Sequence, residues 1–257
     1  MHTNPAVHAS LLYGFLLVLA RMAGLFIFLP LPALKAGPDV AKITLAGAFT
    51  LALYSRWPVI DPAPQSMMVL AGWMIAEAGV GLATGLAVGF LIEGLVLAAQ
   101  AISTQAGFSY ASTIDPTTEA DSTVLILIAQ TAAGLLFFAM GLDRQLLMIL
   151  ARSLETQPPG SFAFSRSSVE GLAMLGSSVF STGFRLALPV MILLFLVDLS
   201  VGLLGRLNSQ LQLIALAFPA KMVVALAALS FLALLIPRIF QQSAGIAFTA
   251  LGRVLGF

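Results

Sequence analysis

MMVLAGWMIAEAGVGLATGLAVGFLIEGLVLAAQAI, residues 67–102, runs for 36 residues with only two charged side chains, Glu77 and Glu93. As one helix it would be about 54 Å long at 1.5 Å of rise per residue, whereas a bilayer's hydrocarbon core is about 30 Å thick. Such a run must tilt strongly, fold back as a hairpin, or leave the membrane. Within it Gly81, Gly85 and Gly89 recur every four residues, and Glu77 and Glu93 extend the same row at either end. Four residues advance a helix by roughly 400°, so the row forms one slowly winding ridge. Glycines on a ridge let a neighbouring helix approach closely, the main packing device available in lipid.

Composition agrees with a membrane setting. The 257 residues are 60% hydrophobic and 9% charged, far from the soluble pattern of roughly 45–50% apolar and about 25% charged. Mean hydropathy is +1.03. The fold expected is an all-α polytopic membrane protein of long helices and helical hairpins, without β-sheet, forming a single unit over 1–257. A net charge of +1 offers no field for nucleic acid. Without cysteine there are no disulfides, thiolate nucleophiles or thiolate metal sites. Both histidines, His2 and His8, lie at the start of the chain, so no buried histidine metal site and no cofactor is expected.

The remaining apolar segments are irregular in length. Ser10 to Leu29 is read as a retained helix rather than a signal, because no Lys or Arg precedes it, and Pro30 and Pro32 close it. Ile43 to Tyr54 is too short to span. Three prolines between Trp57 and Gln65 break helix continuity. Later come Thr123 to Gly141, an amphipathic Leu142 to Leu154, an overlong Val169 to Leu204, and a last run, Met222 to Ile236, ending at Pro237. If Met67 to Ile102 is a hairpin, Lys35 and Lys42 fall on the same side as Arg144, Arg152 and Arg166, which the positive-inside tendency prefers; the hairpin is the expectation. No internal repeat appears.

Ionisable groups within such segments are costly and need partners or a cavity. Arg21, Glu77, Glu93, Arg185 and Asp198 are the candidates for buried charge. Packing is the favoured role, with Glu77 and Glu93 paired to Arg21 or Arg185 or lying outside the hydrocarbon; a proton or cation relay is the alternative. Asp198, Gly202 and Arg206 repeat the four-residue spacing, and Gly202 joins the helix-packing glycines. Catalytic motifs are absent: no phosphate-binding G-x-x-x-x-G-K-[ST], no H-E-x-x-H and no G-x-S-x-G. No catalytic residue is assigned, and an enzyme is not expected.

Two stretches carry a family resemblance. In RLNSQLQLIALAFPAK, residues 206–221, the frame of Arg206, Gln210, Phe218, Pro219 and Lys221 between two apolar helices resembles the FliR/SctT family, the export-apparatus subunit of flagellar and virulence type III secretion. The polar GFSYASTIDPTTEADS, residues 107–122, with Asp115 and Pro116 after AAQAISTQ, is similar to that family too, as are RMAGLFIFLPLP from Arg21 and the QPPG ending at Gly160. The chain departs from the family's usual Pro, Asn and Gly at Ser209, Gln212 and Ala217, and has LDR at Leu142 to Arg144 in place of an Asn-Gly-His type turn.

The resemblance implies a core subunit of the export gate, of the flagellar system before the virulence one, in the bacterial inner membrane and the flagellar basal body. It implies a hetero-oligomer with FliP-like and FliQ-like subunits, a FlhB-like partner, and unfolded export substrates in the channel. Taken by itself, Gly107 to Ser122 reads as a connecting loop, Asp115 to Pro116 making a turn. With the resemblance it becomes a pore plug, whose candidate residues are Gly107, Phe108, Ser109, Tyr110, Ala111, Ser112, Thr113, Asp115 and Pro116. Two rival classes stand beside the export gate: an autonomous proton-coupled secondary transporter using the intramembrane Glu, Asp and Arg side chains, and a membrane scaffold without a pore.

Overall fold

The structure is a computed structural model that describes residues 5–29, 38–58, 60, 66–108, 124–157, 162, 165–207 and 213–256. Among these residues there are seven α-helices and no strand: α1 Pro5–Phe28, α2 Asp39–Ala52, α3 Met67–Ala106, α4 Val124–Ala139, α5 Leu142–Thr156, α6 Arg166–Leu207 and α7 Leu213–Leu255. A short 3-10 turn, Tyr54–Arg56, follows α2. Four helices are long and apolar enough to cross a membrane, over Ser10–Ile27, Met67–Ala106, Arg166–Arg206 and Ala217–Leu255. The pair α4 and α5, bent by 65° at its break, makes a fifth if taken together. Gly141 sits in that break at φ +67, a left-handed conformation that glycine adopts without strain.

The expected hairpin at Met67 to Ile102 is not formed. Those residues lie in one continuous helix of 40 residues, about 60 Å of rise. Nothing in the segment breaks a helix strongly, since it contains no proline and its glycines are isolated. The bilayer-length limit governs a helix in lipid, and 67% of the apolar window of α3 is buried inside the protein. The expected stop at Pro237 also fails: α7 runs through both Pro219 and Pro237, and α6 through Pro189. In an apolar setting neighbouring helices and local adjustment re-satisfy the carbonyl that proline frees, so proline bends such helices without ending them. The short run at Ile43 to Tyr54 is the 14-residue α2, begun by Asp39 at its positive end.

The chain divides into two compact units, each discontinuous in sequence. The first comprises Met1–Phe90, Phe137–Gly176 and Ile246–Phe257, and the second Leu91–Leu136 and Ser177–Gly245. In the first, Val80, Ala83 and Ala87 of α3 meet Leu175 of α6 and Ala247, Ala250, Leu251 and Val254 of α7 in a core of small and branched side chains. Gly171 makes the α6–α7 approach possible there: a Cβ would stand 2.8 Å from the Ala250 carbonyl oxygen. Alongside it the Ser168 hydroxyl donates to the Val254 carbonyl at 3.0 Å. Leu142, Leu146, Leu150 and Leu154 of α5 are buried as one row, the amphipathic face its spacing predicts. In the second unit, Gly94 of α3 lies against Thr182 of α6, whose hydroxyl shares a buried 2.7 Å hydrogen bond with Ser243 of α7.

Candidate functional site

The first unit holds one fully buried charge pair. Arg21 of α1 and Glu77 of α3 are 1% and 3% exposed, their Nη2 and Oε2 atoms 2.5 Å apart. Arg21 Nε donates to the same Glu77 oxygen at 2.6 Å, and Nη1 donates to Ser153 Oγ at 2.7 Å. Ser153 Oγ in turn donates to the Leu150 carbonyl at 2.7 Å, closing the chain of donors. The pair is held by a backbone crossing one turn away. A Cβ on Gly81 would collide with the Arg21 carbonyl and stand 2.8 Å from the Leu25 amide. From the other side, a Cβ on Gly24 would collide with the Ala78 carbonyl and stand 3.1 Å from the Leu82 amide. Charges in a low-dielectric interior are tolerated when pairing and hydrogen bonds satisfy them, and here both conditions hold.

The second unit carries a different cluster, at the end of α3. Gly107 lies at φ +83, its amide donating to the Thr104 carbonyl at 3.3 Å while the Phe108 amide donates to the Ser103 carbonyl at 3.0 Å. This is the Schellman closure of a helix, and it sets the direction in which the chain leaves α3. A Cβ at Gly107 would stand 3.0 Å from the Phe218 ring. Beside it, Lys221 Nζ of α7 lies 2.5 Å from Asp198 Oδ1 of α6, and Gln105 Nε2 donates to Asp198 Oδ2 at 3.4 Å. Thus α3, α6 and α7 are tied at one level by a half-exposed ion pair, an amide and an aromatic ring.

The remaining expected residues fall as follows. Gly85 is buried and Gly89 half-buried on α3, while Gly202 is exposed with nothing within 4 Å of where its Cβ would be. Glu77 takes Arg21 as its partner, as one of the alternatives held, and Asp198 takes Lys221. Glu93 and Arg185 are exposed and form no ion pair among the described residues. Arg206 is exposed in the last turn of α6, where its charge complements the helix dipole. Pro219 lies within α7. Ser109 to Ser122 of the expected plug, and Gln210, lie outside the described residues. Sequence reasoning did not find Ser153, Gly24 or Gln105. Ser153 had a visible signal, a small polar side chain set among the buried leucines of an amphipathic helix.

Comparison with known proteins bears on the whole chain. The family described as bacterial export proteins, family 1, matches residues 12–245. The chain belongs to this family. The flagellar biosynthetic protein FliR of Escherichia coli (strain K12) is 29% identical over 222 residues, 86% of this chain and 83% of that protein. FliR of Bacillus subtilis (strain 168) is 30% identical, covering 82% of each chain. The secretion system apparatus protein SsaT of Salmonella typhimurium is 24% identical over 82% of this chain and 83% of its own. The FliR/SctT resemblance of the Arg206 to Lys221 and Gly107 to Ser122 stretches is therefore a family membership. The Arg21–Glu77 crossing and the α3 terminus both lie inside the matched region of this export-protein family.

Proposed function

We propose that the protein is a core subunit of the type III protein export gate, most directly the flagellar one, and that it forms part of the channel for unfolded substrates across the bacterial inner membrane. The observation that carries this reading is the match of residues 12–245 to the export family, with flagellar relatives covered over more than four fifths of their length. The two units act as one export-gate subunit over 1–257, without catalysis of their own. FliP-like and FliQ-like subunits assemble around it in a hetero-oligomer at the flagellar basal body, with a FlhB-like subunit at the entrance. The exposed apolar surfaces of α6 and α7, of whose apolar windows only 22% and 17% are buried within the chain, support an assembly in which they are covered.

Gly107 to Ser122 is assigned to closing the pore. The Schellman turn at Gly107, braced by Phe218, gives the segment a fixed departure point, and Phe108 and Tyr110 supply bulk for a constriction. The rival transporter reading asks Glu77, Glu93, Arg185 and Asp198 to share a site. Glu77 is held by Arg21 and Asp198 by Lys221, and nothing favours that reading over the export gate.

Native mass spectrometry of the tagged chain, purified in mild detergent from its own cells, tests the assembly. One copy of the chain with several copies of two smaller membrane proteins is the expected result; a reproducible monomer or homo-oligomer would overturn it. Deleting Ser109 to Ser112 in the assembled complex should raise leakage of small ions, and unchanged permeability with normal assembly would remove the plug.

A further inference from the structure

The second unit exposes a helical ridge with an unusual charge beside it. Phe180, Phe184, Leu188, Ile192 and Leu196 follow one another at intervals of four along α6, and each is between 48% and 60% exposed. Rows at this spacing are the ridges that fit the grooves of another helix. Phe180 and Phe184 stack on one another with ring centroids 6.5 Å apart, presenting a preformed aromatic surface. Arg185 lies next to this row. Arg238 of α7 reaches a similar level: α6 and α7 run antiparallel through the Thr182–Ser243 bond, which Arg185 follows by three residues and Arg238 precedes by five. Those spacings are rises of about 4.5 and 7.5 Å. Both arginines are exposed and neither has a carboxylate partner among the described residues.

Two cations on neighbouring helices repel each other, and each costs about 2.5–3.5 kcal/mol at the centre of a membrane helix unless compensated. An anion placed against both relieves the repulsion and the desolvation together. Glu93 of α3, which precedes the Gly94–Thr182 contact, is exposed and forms no ion pair among the described residues, so a fitting partner carries charge of both signs. Headgroup phosphates fit less well. A headgroup layer at Arg185 and Arg238 would leave the Phe180 and Phe184 rings, on the far side of Arg185 from the apolar Leu188 to Leu196, out in water. Arginine flanked by aromatics is instead the composition of an interface centre. A symmetric dimer with the two ridges parallel would set Arg185 at the level of its own copy, so a different subunit is the better occupant.

We propose that the α6 ridge from Phe180 to Leu196 docks an apolar helix of a different membrane subunit, which sets a carboxylate against Arg185 and Arg238. The proposal rests on the export-gate reading for the existence of such a subunit. The test uses the complex purified from its own cells. A photo-crosslinking amino acid at Leu188 should attach to a smaller membrane protein of the complex, and Arg185→Glu with Arg238→Glu should lower recovery of the chain in the complex at least roughly tenfold. Arg185→Lys should keep most of it, and an acid-to-base change in the crosslinked helix should restore the double variant. Crosslinking to lipid alone or to a second copy of this chain, or normal assembly of the double variant, overturns the docking surface while the wild-type complex upholds the export-gate reading. A wild-type chain that purifies without partners overturns both.

Discussion

Arg21 and Glu77 join two helices through a charge pair of 2.5 Å, and the glycines one turn beyond them, Gly24 and Gly81, bring the same two backbones into contact. The two features depend on each other. The crossing sets the helices close enough for short contacts, and Glu77 compensates an arginine that could not otherwise be buried in this setting. Ser153 Oγ of α5 accepts a hydrogen bond from the remaining guanidinium nitrogen, so three helices meet at one polar point within apolar surroundings.

Removing one partner should cost far more than removing both. Glu77→Gln leaves the Arg21 charge buried against a neutral amide, and breaking one side of a buried pair costs about 3–5 kcal/mol. Arg21→Met combined with Glu77→Leu leaves no charge and should recover most of that loss. Thermal unfolding of the detergent-purified chain, followed by intrinsic fluorescence, reads both. A Glu77→Gln protein as stable as wild type, assembled normally and yet unable to support export, would turn the pair from a structural bond into a proton relay.

The crossing makes a sharper claim about single methyl groups. Gly81→Ala places a Cβ against the Arg21 carbonyl and the Leu25 amide, backbone atoms that cannot rotate aside, so the helices must separate. Overpacking of this kind costs about 1–3 kcal/mol, and separation also lengthens the Arg21–Glu77 contact. Gly47→Ala in α2 is the matched control, because nothing lies within 4 Å of its added Cβ. There the better helix propensity of alanine should raise stability by roughly 0.5–1 kcal/mol. Equal effects of the two substitutions on the unfolding midpoint would contradict the close crossing.

The outcomes at Glu77 and at α3 differ in how far sequence alone reaches. A four-residue row of glycines is visible in a linear sequence because helical spacing is local, and so is the cost of burying Glu77. Which cation answers Glu77 is a matter of tertiary approach, so Arg21 and Arg185 stood equal, and the polar position of Ser153 among the leucines of α5 did not say which charge it would serve. The hairpin expected at Met67 to Ile102 came from bilayer thickness and the positive-inside tendency, rules for spans surrounded by lipid, whereas the protein itself covers most of this helix. Pro237 misled for a related reason, since proline as a helix stop is a rule learned in water. Gly107 was legible as the first residue of the polar segment, and the structure makes it a left-handed turn at φ +83.

At Gly107 two penalties coincide. Any other L residue pays about 1–2 kcal/mol for the left-handed conformation, and its Cβ presses on the Phe218 ring. Gly107→Ala should therefore lower stability and redirect the chain leaving α3, whereas Gly107→Ala with Phe218→Leu relieves only the contact and recovers only part of the loss. In the assembled complex the single variant should leak small ions in the same sense as deletion of Ser109 to Ser112. Full recovery by the double variant would show that backbone strain contributes nothing at this turn.

The Asp198–Lys221 pair should behave unlike the Arg21–Glu77 pair, because its environment differs. Lys221 is 16% and Asp198 38% exposed, so water screens the contact and solvates whichever partner is left. Lys221→Gln should cost no more than about 1 kcal/mol, well below Glu77→Gln, with Gln105 still donating to Asp198. Exchanging the charges, Asp198→Lys with Lys221→Asp, should restore stability close to the wild-type value. The same exchange at Arg21 and Glu77 should fail, since the Ser153 hydroxyl and the Gly24–Gly81 crossing are arranged for a guanidinium on α1. If the exchange at 198 and 221 also fails, the half-exposed pair is being read by something besides its two charges, and the Phe218 and Gly107 contact beside it is the first place to look.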